Sequence, residues 1–174
     1  MRILVAHGAS GRATSMQAHV EGLAARAIDA RAIDLPLRKA ELAVPVYREH
    51  VTAQALPPSL LVIGGQSYGG RVASLLAAAP PAVCAALVCF SYPLHRPGQP
   101  DWDERSRHWP AIDVPVLLLS GAADPFARLD LLQRARDERL PGARLVTFPK
   151  VGHSLKPVLG DVLDEVAAFI RDLQ

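Results

Sequence analysis

The chain has 174 residues, half of them hydrophobic, enough to bury the core of one domain but not of a second. Nineteen basic and seventeen acidic side chains leave a formal charge of +2, which argues against a nucleic acid or an anionic membrane surface as partner. No apolar stretch is long enough to span a bilayer, two cysteines make no disulfide framework, and the chain enters an apolar run at Arg2 without a signal peptide, so the cytoplasm is the expected compartment.

In chain order, the first strand is read at "ILVA" (3–6). A helix follows, capped by Thr14 or Ser15, with Met16, Val20, Leu23, Ala24, Ala27 and Ile28 on its apolar face. A second strand is read at "ARAIDL" (30–35), and residues 36–51 are read as loop with short helical turns. "LLVIG" (60–64) is the third strand, and Val72, Leu75, Leu76 and Ala79 repeat helical spacing after it. "AALVCF" (85–90) is the fourth. Cys84 and Cys89 stand five positions apart in this run, which predicts opposite strand faces and two unpaired core thiols. The connection 91–113 carries four prolines and is read as loop; strands five and six fall at "VPVLLLS" (114–120) and "ARLVTF" (143–148). Pro157 suits a first helical turn, and Val158, Val162, Val166, Phe169 and Ile170 form the stripe of a last helix. Several strands are continuously apolar, as a parallel sheet covered on both faces requires. The alternation predicts an α/β architecture of right-handed βαβ units, one domain over residues 1–174. Sixteen of the nineteen basic residues are arginine, a compositional bias that weakens any argument from arginine number alone.

"IGGQSYGGRV" (63–72) places Ser67 among four glycines between a strand and a helix. A serine hydroxyl is a poor nucleophile at neutral pH. It needs a base within hydrogen-bond reach, a carboxylate to orient that base, and donors aimed at the oxyanion. "GQSYG" fits G-x-S-x-G, the nucleophile elbow, in which strand and helix backbones come too close to admit a β-carbon. The carboxyl ends of parallel strands share one edge, so the acid and the histidine should follow in loops after later strands. Asp124 leaves "VPVLLLSG" and meets that demand. Asp113 precedes the same strand and falls on the opposite edge, whereas Asp101 and Asp103 stay open as alternatives. His153 follows the sixth strand; none of the other five histidines occupies such a position late in the chain. The candidate oxyanion donors are the N–H of Tyr68, at the start of its helix, and that of Ala9 in the loop "VAHGASG". Ser10, Gln66 and Tyr92 are candidate substrate-binding residues, with loop filler or a buried polar contact as open readings of the same side chains. Arg71 is read as an anchor of the elbow helix.

"HGASG", "GGQSYGGR", "SGAADPF" and "GHSLK", in that order, resemble an α/β-hydrolase. With "YPLH" (92–95) they are similar to a small, dienelactone-hydrolase-like branch that includes the testis-expressed hydrolase-like proteins. The resemblance covers nearly the whole chain; only residues 36–58 match nothing diagnostic. It implies an open six-stranded sheet of order 2-1-3-4-5-6 with helices on both faces, lacking two leading strands and a large lid, and hence a shallow site. The expected activity is hydrolysis of a small-molecule ester or thioester by Ser67, His153 and Asp124, without metal or cofactor. Two other readings fit part of the sequence. A dinucleotide-binding loop would use Gly8, Gly11 and Asp34, but Thr14 stands where a third glycine belongs. A hydrolase scaffold without turnover could serve as a protein-interaction module.

Overall fold

The computed structural model describes residues 1–174. Six strands, β1 (Arg2–Ala6), β2 (Asp29–Ile33), β3 (Leu61–Gln66), β4 (Ala86–Phe90), β5 (Val116–Gly121) and β6 (Arg144–Phe148), form one parallel sheet of order β2-β1-β3-β4-β5-β6. Architecture and strand order are those expected. In register, Ala6 lies opposite Ile33 and Gly65, Gln66 opposite Phe90, and Gly121 opposite Phe148. The ends of β1, β3, β5 and β6 therefore share one edge, and the segments carrying Ala9, Ser67, Asp124 and His153 all leave from it.

The unbroken apolarity of the strands is explained by what covers them. Alternate side chains of each strand point to opposite faces. Leu4 and Ala6 join a core with Leu61, Ile63 and Leu118 under α2 (Ala40–Thr52), α3 (Tyr68–Ala77) and α5 (Leu129–Arg139). Ile3 and Val5 join a second core with Val62, Val88 and Leu117 under α1 (Gln17–Ala24) and α6 (Leu159–Asp172). Val162, Val166, Phe169 and Ile170 form the buried α6 stripe as read, whereas Pro157 and Val158 lie in the 3-10 turn that leads into the helix. No helix is long and apolar enough to cross a membrane.

Several local expectations are corrected. Neither Thr14 nor Ser15 caps α1: a 3-10 turn spans Ala13–Met16, and the Ser15 hydroxyl donates to the Arg12 carbonyl. Residues 40–52 form a regular helix although Pro45 lies inside it. Its buried face is Ala40, Ala43, Tyr47 and Val51. Burying a side chain such as Val51 contributes about 1.5–3 kcal/mol, comparable with the roughly 3 kcal/mol that an internal proline costs. The Tyr47 hydroxyl reaches between β1 and β3, where it accepts the Gly64 N–H at 2.9 Å and lies within hydrogen-bond reach of the Leu4 and Gly64 carbonyls. Cys84 precedes β4, so both thiols enter the same core instead of opposite faces; they are buried and unpaired. The connection from 91 to 113 is loop, as expected, with one short helix, α4 (Asp103–Ser106), and a 3-10 turn at Trp109–Ala111.

Candidate active site

Ser67 stands between β3 and α3 with φ 49° and ψ −110°, a positive φ that an L-residue adopts only under strain. The conformation is held from both sides: the Ser67 N–H donates to the Phe90 carbonyl at 2.8 Å, and its carbonyl accepts the Arg71 N–H at 3.0 Å. The glycines permit the turn. A β-carbon on Gly65 would lie 2.6 Å from the Gly69 carbonyl carbon, and one on Gly69 would lie 2.6 Å from the Ala6 carbonyl oxygen.

Asp124 and His153 converge on this serine. The Ser67 hydroxyl donates to His153 Nε2 at 2.9 Å across 86 positions of sequence. With the proton on the other nitrogen, His153 Nδ1–H donates to Asp124 Oδ2 at 2.8 Å. The Asp124 side chain is fully buried, and its second oxygen accepts the Phe126 N–H at 2.8 Å. A buried carboxylate with both oxygens occupied fixes the tautomer and orientation of the imidazole. The Phe126 ring packs on that imidazole with centroids 4.4 Å apart. His95 ties the acid loop to the strand-four connection: its backbone N–H donates to the Phe126 carbonyl, its Nε2 accepts the Arg128 N–H, and its Nδ1–H donates to the Arg96 carbonyl. Such an arrangement can deprotonate an alcohol as it attacks a carbonyl carbon.

The candidate oxyanion donors flank the serine. Tyr68 opens α3, where N–H groups have no partner within the helix. Ala9 lies in the exposed loop after β1, and its N–H makes no hydrogen bond within the chain. His7 shapes that loop, accepting the Leu35 N–H at Nε2 and donating from Nδ1 to the Gly8 carbonyl. Asp34, the acid of the dinucleotide reading, follows β2 and accepts the Ala13 N–H at 2.7 Å, bracing the segment after β1 from the neighbouring strand end.

Ser67, Tyr68 and Ala9 open onto a cleft of about 890 Å³, of whose fourteen lining residues only five are hydrophobic. None of the three candidate substrate-binding residues lines it. Tyr92 is 1% exposed and its hydroxyl donates to the Arg105 carbonyl, so it supports the wall from behind instead of meeting a ligand. Ser10 is exposed beyond the cleft, and Gln66 faces a separate void of about 20 Å³ near His19. Arg71 does anchor α3, through Glu41 of α2 at 2.7 Å, and it also lines the cleft. Glu41's own backbone N–H, together with Arg71, holds its carboxyl below the usual range. Burial pushes the Tyr68 hydroxyl, which donates to the Pro36 carbonyl at 2.7 Å, above the ordinary tyrosine value. The lining residues Arg38, Lys39, Arg96, Arg105 and Phe126 escaped the sequence reading. Only Phe126, two positions after the acid in "DPF", sits where a local signal could have pointed to it.

A family model described as alpha/beta hydrolase domain matches residues 1–166. Among solved structures, a Paleococcus ferrophilus monoacylglycerol lipase superposes with a TM-score of 0.85 at 14% identity, covering 99% of this chain and 95% of that one. A Pyrococcus furiosus esterase gives 0.80 at 15% identity over 98% and 82%. The thioesterase domain from the curacin biosynthetic pathway gives 0.74 at 16% identity over 97% and 90%. At these identities the likeness is one of fold.

Proposed function

The chain belongs to the alpha/beta hydrolase domain family, and from that premise we propose that it is a single-domain serine hydrolase cleaving small esters or thioesters through an acyl-enzyme. The observation that carries the reading is the unbroken hydrogen-bond path from the Ser67 hydroxyl through His153 to buried Asp124. Ester and thioester bonds are favoured because the similar structures include a lipase, an esterase and a thioesterase. A short connection after β4 and a cleft with seven charged side chains among its fourteen lining residues favour a small substrate over a long acyl chain.

In this mechanism Ser67 Oγ attacks the acyl carbon while His153 Nε2 takes its proton, and Asp124 stabilises the resulting imidazolium. The carbonyl oxygen becomes an oxyanion that the N–H groups of Tyr68 and Ala9 receive, helped by the positive end of the α3 dipole. Collapse expels the alcohol or thiol, which leaves with the proton from His153. A water then gives its proton to His153, attacks the acyl-enzyme, and releases the acid as Ser67 recovers its hydrogen.

The test is hydrolysis of 4-nitrophenyl acetate by wild type, Ser67→Ala and His153→Ala, with fluorophosphonate labelling mapped to its peptide. Both variants should lose at least three orders of magnitude in kcat, and the label should fall on Ser67. Equal rates in wild type and Ser67→Ala would favour the scaffold reading instead.

A further inference from the structure

We propose that the substrate of this site carries an anionic group, a carboxylate or a phosphate, bound by Arg71 and Arg105 with Arg38 and Arg96 at the rim. This rests on Ser67 being the nucleophile, and names a substrate class for it.

The first support is where the charge sits. The cleft is lined by five cationic side chains, Arg38, Lys39, Arg71, Arg96 and Arg105, against two acidic ones, Glu41 and Glu104. That local excess of three exceeds the +2 of the whole chain, so the remainder of the protein is net acidic. An arginine-rich composition spread evenly over the surface does not produce this segregation. A concave site lined by one sign of charge concentrates ligands of the opposite sign.

Unspent bonding capacity is the second. A guanidinium has five N–H donors. Arg71 has a side chain 15% exposed and gives one nitrogen to Glu41, yet its buried Nε has no hydrogen-bond partner. Arg105 donates only to the Pro93 carbonyl, at 2.9 Å, and no carboxylate lies within ion-pair distance of it. Burial first, and then the Arg71 charge, hold Arg105 below the ordinary arginine value. Two guanidinium groups thus face one cleft in each other's field with part of their hydration removed. An anion placed there would relieve that repulsion and meet the guanidinium nitrogens of Arg71 and Arg105 that face the cleft without a protein acceptor, in the forked geometry that favours carboxylate and phosphate.

The placement relative to the chemistry is the third. The Arg71 N–H bonds the Ser67 carbonyl, one turn along α3, and a helical turn advances about 5.4 Å. Ser67 and Arg71 both line the cleft, so a charge held by Arg71 shares it with the reacting carbon. Beside Arg71, the first residues of the thirteen-residue helix α2, Ala40 and Glu41, line the same cleft and add the positive end of a helix dipole.

Two matched ester pairs at low ionic strength test this, with uncatalysed rates subtracted. Mono-4-nitrophenyl glutarate against 4-nitrophenyl pentanoate places the charge on the acyl side. 4-Acetoxybenzoate against phenyl acetate places it on the leaving group. At least one anionic member should exceed its neutral partner tenfold or more in kcat/KM, and the pair that responds identifies the side. Inorganic phosphate should inhibit hydrolysis of 4-nitrophenyl pentanoate competitively. In Arg105→Gln, and in Arg96→Gln, whose exposed side chain makes no bond that the fold could miss, the preference should shrink mainly through KM. Neutral esters preferred in both pairs by the wild type, with no inhibition by phosphate, would overturn the proposal while leaving the nucleophile reading intact. No turnover of any ester and no fluorophosphonate label on Ser67 would overturn both.

Discussion

Gly121→Ala perturbs the site without touching any of its polar side chains. Gly121 ends β5, and a β-carbon there would lie 2.6 Å from the Val151 carbonyl carbon and closer still to the Val151 and Gly152 oxygens. Ordinary contact begins at 3.4 Å, so the backbone two residues before His153 must retreat by roughly 1 Å, because a packed interior cannot absorb the volume locally. The Ser67–His153 hydrogen bond, 2.9 Å in the wild type, would then stretch past hydrogen-bond range. A misplacement of about 1 Å is enough to cost on the order of 10²-fold in rate, and the overpacking itself should cost about 1–3 kcal/mol of stability. The assay is kcat on 4-nitrophenyl acetate with a thermal melt in parallel, and Gly142→Ala serves as control, since a β-carbon there meets nothing within 4 Å. Gly121→Ala with wild-type kcat and a lowered Tm would refute the reasoning, because the loop would have moved without disturbing the base.

Ser67→Gly should abolish hydrolysis yet raise Tm by about 2–4 °C, since glycine relieves a positive φ that costs serine of order 1 kcal/mol; a lower Tm would remove the strain argument. Asp124→Asn should lower kcat by about 10²–10⁴-fold by favouring the wrong imidazole tautomer, with fluorophosphonate labelling slowed in step; a variant that keeps a tenth of wild-type kcat would deny Asp124 its role. Acid stability follows from His19 and His108, both lowered from 6.5 to about 4, by burial first and then by Lys156 and Arg71 respectively. The folded protein keeps them neutral while the unfolded chain protonates them below 6.5, so stability present at pH 7 is lost as pH falls from 6.5 towards 4, by a few kcal/mol in all. His108→Gln, which can still donate to the Ser74 hydroxyl as His108 Nε2 does, should flatten the decline of Tm across that window. An unchanged slope would show that His108 does not stay neutral in the fold.

How far the sequence could be read depends on whether each feature is local or assembled. The sheet was legible because strands covered on both faces must be apolar throughout, and Ile3 to Ala6 show this in four residues. The meeting of Ser67, Asp124 and His153 could be foreseen because each leaves a strand end, and parallel topology puts those ends on one edge. α2 was missed because Pro45 breaks the helical signal, while the face that compensates for it, Tyr47 above all, shows its worth only against β1 and β3. The cationic wall was missed for a different reason. Its members come from four separate segments, at 38–39, 71, 96 and 105, and in an arginine-rich chain none stands out alone. Tyr92 was placed near the site by its position after β4, but a strand end also has a side facing the core, and its ring packs there against Trp109.

The Tyr47 hydroxyl is wedged between two neighbouring strands. It rivets α2 to the middle of the sheet, while the Glu41–Arg71 pair clamps the same helix to α3. The rampart on that side of the cleft is thus a rigid casting and not a hinged flap. Its ordering cost is met once, when the chain folds, so an arriving molecule is selected by whether it fits a finished mould.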